Sequence, residues 1–195
     1  MATETASLQS SPARARRGFE TTAGEKGALS VALWGDLGLG WFRRFASAMA
    51  RRGISIKSAA GTRDGDESWS ARIELEVENA SVDPKSLNYL ALTEEGDGDP
   101  LELPPIDRFR IERTETAAIC LRVFAKDRVG LLSALLDRMQ FLGLFPVRLR
   151  VTTDGPVVDD TIWLKGVADH PPSMEAERAL VALLQQLSSS SGEPR

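Results

Sequence analysis

The chain has 195 residues, 42% of them hydrophobic and 27% charged, the composition of an ordinary globular protein of one or two small domains. A net charge of −4 argues against direct contact with nucleic acid, which demands a basic face, and one cysteine with one histidine builds neither a disulfide framework nor the usual zinc site. No apolar run of about 18 residues occurs, so no membrane-spanning helix is expected.

Residues 1–27 are rich in Ala, Ser and Thr, carry Arg14, Arg16 and Arg17, and lack an apolar secretory core. They read as a disordered tail. Organellar import is the alternative that the Arg and Ser enrichment suggests, with Glu4 and Glu20 against it, so a cytoplasmic protein is expected.

A first apolar strand is expected at Leu29–Leu33, followed by the loop Asp36-Leu37-Gly38-Leu39-Gly40 and a helical pattern from Trp41 through Met49. Gly53 ends that helix, because glycine takes the left-handed cap without a Cβ penalty. A strand at Ile54–Ala60, the hairpin signal Asp64-Gly65 and a returning strand at Ser70–Val77 follow. Asp83-Pro84 starts a short helix through Leu87, Leu90 and Ala91, with proline in its preferred first position. An acidic, turn-rich linker, Glu94 to Pro100, leads to Phe109 and Ile111, whose alternation with Arg108, Arg110 and Glu112 predicts a fourth strand for this first unit.

The pattern then recurs. A strand at Ile119–Phe124 runs into Asp127-Arg128-Val129-Gly130, and Leu131, Leu132, Leu135, Leu136 and Met139 make one apolar helical face. Gly143, a strand at Leu144–Val151, Asp154-Gly155 and a returning strand at Asp160–Val167 come next. Gly40 and Gly130, Gly53 and Gly143, Thr62 and Thr152, and Gly65 and Gly155 are each 90 positions apart, the mark of an internal duplication. Pro146 cannot donate to a ladder, so the second strand of each unit is expected at a sheet edge. Ser173 caps a last helix bearing Leu180, Val181, Leu184 and Leu187, and residues 189–195 form a polar tail.

The loop at Asp127 sits between a strand and a helix, where unpaired backbone N–H groups lie beside an acidic side chain. Such a loop holds both ends of an amino acid, the carboxylate on the N–H groups of Gly130 and Leu131 and the ammonium on Asp127. A plain reading stands beside it, in which Asp127 caps the helix, Arg128 is solvated and Gly130 serves only the turn. Asp36, Gly38 and Gly40 form a degenerate counterpart with one extra residue before the glycine, and Trp41 is expected to crowd its mouth. The glycines there match neither a dinucleotide fingerprint nor a phosphate loop, so no cofactor is expected.

The run Asp127-Arg128-Val129-Gly130-Leu131-Leu132, with Gly143, Thr152, Gly155 and Asp160, resembles an ACT domain. Its form looks most like the C-terminal ACT domains of PII uridylyltransferases, and the tandem layout is similar to the glycine cleavage system transcriptional repressor. The resemblance implies an α+β fold of two ferredoxin-like βαββαβ units, antiparallel sheets of order 4-1-3-2 with helices on one face: a degenerate unit at 28–114 and an ACT domain at 115–188. It also implies ligand sites where units pair, within the chain or as a homodimer. With no Ser-His-Asp set and no metal cluster, an enzyme is not expected. The leading expectation is a non-catalytic regulator that senses an amino acid or similar small ligand through Asp127, Arg128, Val129, Gly130, Leu131 and Leu132. The alternative is a ligand-free interaction module serving as regulatory subunit or adaptor of an enzyme or regulator.

Overall fold

The structure, a computed structural model, describes residues 16–24, 28–64, 68–77, 82–96 and 102–189. Gly65, the Asp97-to-Pro100 part of the acidic linker, and tail residues 1–15 and 190–195 lie outside the described residues. In chain order the elements are β1 (Gly18–Ala23), β2 (Leu29–Asp36), α1 (Trp41–Arg51), β3 (Ile54–Asp64), β4 (Ser68–Val77), α2 (Tyr89–Leu92), β5 (Arg108–Arg113), β6 (Ile119–Lys126), α3 (Leu131–Phe141), β7 (Phe145–Asp154), β8 (Val157–Lys165) and α4 (Met174–Ser189). The strands make one eight-stranded antiparallel sheet in the order β1-β2-β4-β3-β7-β8-β6-β5.

Period-two alternation explains the layering. On β6, Ile119, Leu121, Val123 and Ala125 are buried, while Arg122 and Lys126 are exposed. The buried set joins Leu131, Leu135, Leu136 and Met139 of α3 and Leu180 and Leu184 of α4 in a single core that also holds Trp41, Phe45 and Met49 of α1. The other sheet face has no helix over it among the described residues; Arg148 lies over the Trp163 ring at 4.6 Å and Arg108 over Phe124 at 4.1 Å. Gly53 and Gly143 take φ values of 66° and 72°, in keeping with their expected place after the helices. No helix among the described residues is long and apolar enough to cross a membrane.

Five expectations change, four in the ends and elements and one in the sheet itself. Gly18–Ala23, assigned to a disordered tail, is a strand that pairs with β2 from Gly18↔Trp34 to Ala23↔Leu29. Phe19 anchors it, its ring edge-on to Tyr89 with centroids 5.8 Å apart. β5, expected to complete the first unit, instead pairs with β6 from Arg108↔Phe124 to Arg113↔Ile119. Each half therefore has its outer strand before its first strand, giving ββαββα rather than βαββαβ, because a preceding hairpin covers the same free edge that a returning fourth strand would cover. The helix expected from Pro84 is broken into a 3-10 turn at Pro84–Ser86 and α2, with Leu87 extended between them and the side-chain Oδ1 of Asn88 accepting from the Ala91 N–H. At the other end of the chain, α4 continues through Ser189, the residue assigned to the start of the polar tail.

The two expected sheets are one, joined where β3 meets β7. Both are the second strands after a first strand and helix, the positions for which Pro146 argued an edge. Pro146 itself lies outside the joining ladder, which runs from Ser58↔Thr152 to Thr62↔Arg148. At its midpoint Ala60 faces Arg150, its own counterpart 90 positions later. The ladder is thus self-complementary, as in a twofold interface between identical chains. α1 and α3 pack side by side above it, linked by Arg43, whose Nε donates to Gln140 Oε1 at 2.9 Å and whose Nη1 donates to Asp137 Oδ1 at 3.2 Å.

Leu149, 2% exposed, tests this seam, since it lies opposite Gly61 and would touch a Cβ added there at 3.6 Å. Leu149→Ala is expected to destabilise the chain by about 2–5 kcal/mol, and urea melts followed by far-ultraviolet circular dichroism and tryptophan fluorescence should coincide in one transition.

Candidate functional site

The β6–α3 loop is held at both ends. The Asp127 N–H donates to the Pro156 carbonyl at 2.8 Å, and the Leu131 N–H donates to the Arg128 carbonyl at 3.0 Å. Gly130 closes the turn at φ 92°, a left-handed conformation that L side chains rarely adopt, and it stands as the helix N-cap with no side-chain cap bond. The Leu131 N–H is engaged within the turn, and the N–H groups of Leu132 and Ser133 follow it at the helix start. Arg128 and Val129 are exposed, Leu131 is buried, and Asp127 and Leu132 are half-buried.

Behind this loop is a cavity of about 40 Å³. One wall is the loop and first turn, Asp127 to Ser133; the opposite wall is Ala46 and Ala50 of α1 with Ile54, Ser55 and Ile56 of β3. Val151, Thr153, Val158 and Asp160 of the β7–β8 hairpin complete it. The small side chains of Ala46 and Ala50, one helical turn apart, leave the space open. All six residues expected from the sequence line this one cavity, and the first half of the chain supplies a wall that its own loop does not reveal.

Asp160 is the residue the loop-centred reading left out of the site. It is 1% exposed, and its Oδ1 has no hydrogen-bond partner. Burial pushes its pKa up to about 8, against a backbone hydrogen bond from Thr152 that favours the charged form; the negative charges of Asp159 and Asp127 push it further up. The signal was present in the strand: Val158, Asp160, Ile162 and Leu164 share the buried phase, so an acid stands in an apolar series. Asp159 faces away and is held below the usual carboxylate range chiefly by its hydrogen bond from Arg122, with Nε–Oδ1 at 2.7 Å.

The counterpart loop looks different. Asp36 Oδ1 accepts from the Gly38 N–H at 3.1 Å, and Gly38 and Gly40 both have φ of 72°. Trp41 fills the space behind this loop from the core side. It is 1% exposed, edge-on to Trp69 with centroids 5.3 Å apart, and occupies the core where Leu131 stands in the second half. What remains is about 20 Å³ between Gly40–Arg43, Trp69, Leu136, Gln140, Phe145 and Pro146. Across from Leu33 sits Ala71, whereas Asp160 sits across from Val123, the counterpart of Leu33. The first cavity thus has less room and no acid in its lining.

Among the described residues no cluster of His, Cys, Asp or Glu is arranged to hold a metal ion. The half-buried Cys120 thiol is pushed up, first by burial and then by Glu112, which keeps it protonated and weakly nucleophilic.

Raising a buried carboxyl's pKa in the fold means that the folded chain holds more protons than the unfolded chain between the two values. Stability should therefore fall as pH rises from 3.8 toward about 8 and level off above. Asp160→Asn, which keeps the shape without the charge, is expected to raise the melting temperature at pH 8 and to leave it nearly unchanged at pH 4, as measured by scanning calorimetry.

No family model matches the sequence, and no curated protein matches it. Among solved structures the chain is similar to an aspartate kinase from Synechocystis, with 14% identity and a TM-score of 0.45 over 84% of this chain. The match spans only 28% of that protein's length.

Proposed function

We propose that this chain is a non-catalytic regulatory protein of the tandem ACT type, in which a small amino acid occupies the cavity behind Asp127–Leu132 and links the two halves of the sheet. The observation that carries this reading is the composition of the cavity wall: a strand-to-helix loop with helix-start N–H groups on one side, α1 and β3 of the other half facing it. The carboxylate is assigned to the N–H groups of Leu132 and Ser133, and the ammonium to the acidic side at Asp127. A ligand that touches both walls stabilises the arrangement in which they face each other, by its differential affinity for that arrangement. Room for about three waters favours a compact ligand over an aromatic one.

A second reading is a ligand-free interaction module that pairs with an enzyme or regulator. The filled cavity at Trp41 favours it, since that half has kept its fold without an open site.

Isothermal calorimetry against the twenty amino acids separates the two. Glycine, alanine or serine is expected to bind with one site per chain and phenylalanine and tryptophan to bind at least ten times more weakly. Asp127→Ala should weaken binding about tenfold, and Asp36→Ala should change it less than twofold. No heat from any amino acid at millimolar concentration leaves the interaction module as the better account.

A further inference from the structure

We infer that the cavity admits only molecules that present an ammonium group to the unpartnered oxygen of Asp160, so that this residue, rather than the loop alone, decides what the site accepts. The inference rests on the binding reading above and goes further in assigning the selecting group. Two observations converge. Asp160 is one of the residues lining the cavity, and its Oδ1 is enclosed and has no hydrogen-bond partner. Among the lining residues Ala46 and Ala50 of α1, Val151 and Val158 of the hairpin and Leu131 of α3 are apolar, and the hydroxyls of Ser55, Ser133 and Thr153 make no hydrogen bond to Asp160 Oδ1. A buried acceptor in such surroundings is normally matched by a donor, and an occupant with N–H groups is the donor that completes it.

The charges nearby point the same way. The charged groups lining the cavity are Asp127, Arg128 and Asp160; Arg128 is exposed at the mouth, while Asp127 lies close enough for its charge to act on Asp160. β3 brings Ser55 and no charge, and β7 brings Thr153 together with the Thr152 N–H that already donates to Asp160. Asp159, the other nearby acid, is paired with Arg122 on the opposite face. The negative charge of Asp127, joined by that of Asp160 once its proton has left, favours a cation beside the two carboxyl groups. A compact primary amine that also carries a carboxylate for the helix start fits both ends; its deaminated analogue leaves Asp160 unmatched.

Binding has a proton balance. Without a ligand the Asp160 carboxyl holds its proton at neutral pH. When an ammonium docks, that proton passes to the buffer and the ion pair remains, with no change at the ligand nitrogen. Affinity should therefore strengthen by up to tenfold per pH unit below about 8 and level off above it.

Calorimetry on the full chain in two buffers of different ionisation enthalpy at pH 7 tests this, using glycine, alanine and serine beside acetate, propionate, methylamine and ethanolamine. The expected result is binding of at least one amino acid with release of close to one proton, acids at least a hundredfold weaker, and amines retaining measurable affinity. Asp160→Asn, verified as folded by circular dichroism, should bind at least tenfold more weakly and release no proton. Proton release by the wild-type chain is read without any variant, so a misfolded Asp160→Asn leaves the test intact. Amino-acid binding without proton release, or acids binding as tightly as amino acids, overturns the role of Asp160 while the binding site stands. Failure of every compound to bind overturns both.

Discussion

The antiparallel pairing of β3 with β7 is the constraint from which the rest of the molecule follows. Second strands of this kind of unit are free edges, and an unpaired edge is a template for another chain. Here each covers the other, and the self-complementary register places Ala60 opposite Arg150. That register sets α1 beside α3 and brings the start of β3 under the loop after β6. A slip by one residue would turn Leu149 and Val151 out of the core, where they are now 2% and 3% exposed. The joining ladder and the candidate cavity are therefore one arrangement.

Twofold pairing makes two cavities, and the side chains make them unequal. In one, Trp41, Trp69, Phe145 and Pro146 fill the space, and Arg43 closes the gap between helices through Gln140 and Asp137. In the other, alanines on α1 leave room and Asp160 puts a carboxyl into it. The aromatic packing of the first half stabilises the shared core, while the second half carries an enclosed acid that opposes folding whenever it is charged. A buried group that weakens its own fold is where function is to be sought first.

Much of this was readable in the sequence because it rests on local patterns. Gly53 and Gly143 mark helix ends, the apolar phases of α3 and β6 give their buried faces, and the 90-residue spacing gives the duplication. Pro146 pointed to an edge, and that edge became the seam. The errors were non-local. GFETTA has a single large apolar residue, so β1 gave little periodic signal, and only the free edge of β2 and the ring of Tyr89 explain why it is a strand. Arg108–Arg113 read correctly as a strand, but which neighbour it pairs with depends on edges far apart in sequence. Likewise, the loop residues were found by their motif, whereas Ala46, Ala50 and Ser55 enter the site only through the pairing of halves, and Asp160 only through the phase of β8.

On the function proposed above, one chain builds one complete site from both halves through its own sheet seam. The most direct measurement is amide chemical-shift mapping by NMR during titration with whichever small amino acid binds. Perturbations at Ala46, Ala50 and Ser55 should saturate together with those at Leu132, Ser133 and Asp160, at one equivalent per chain. Shifts confined to one half, or equal shifts around Gly40 and Trp41, would contradict it.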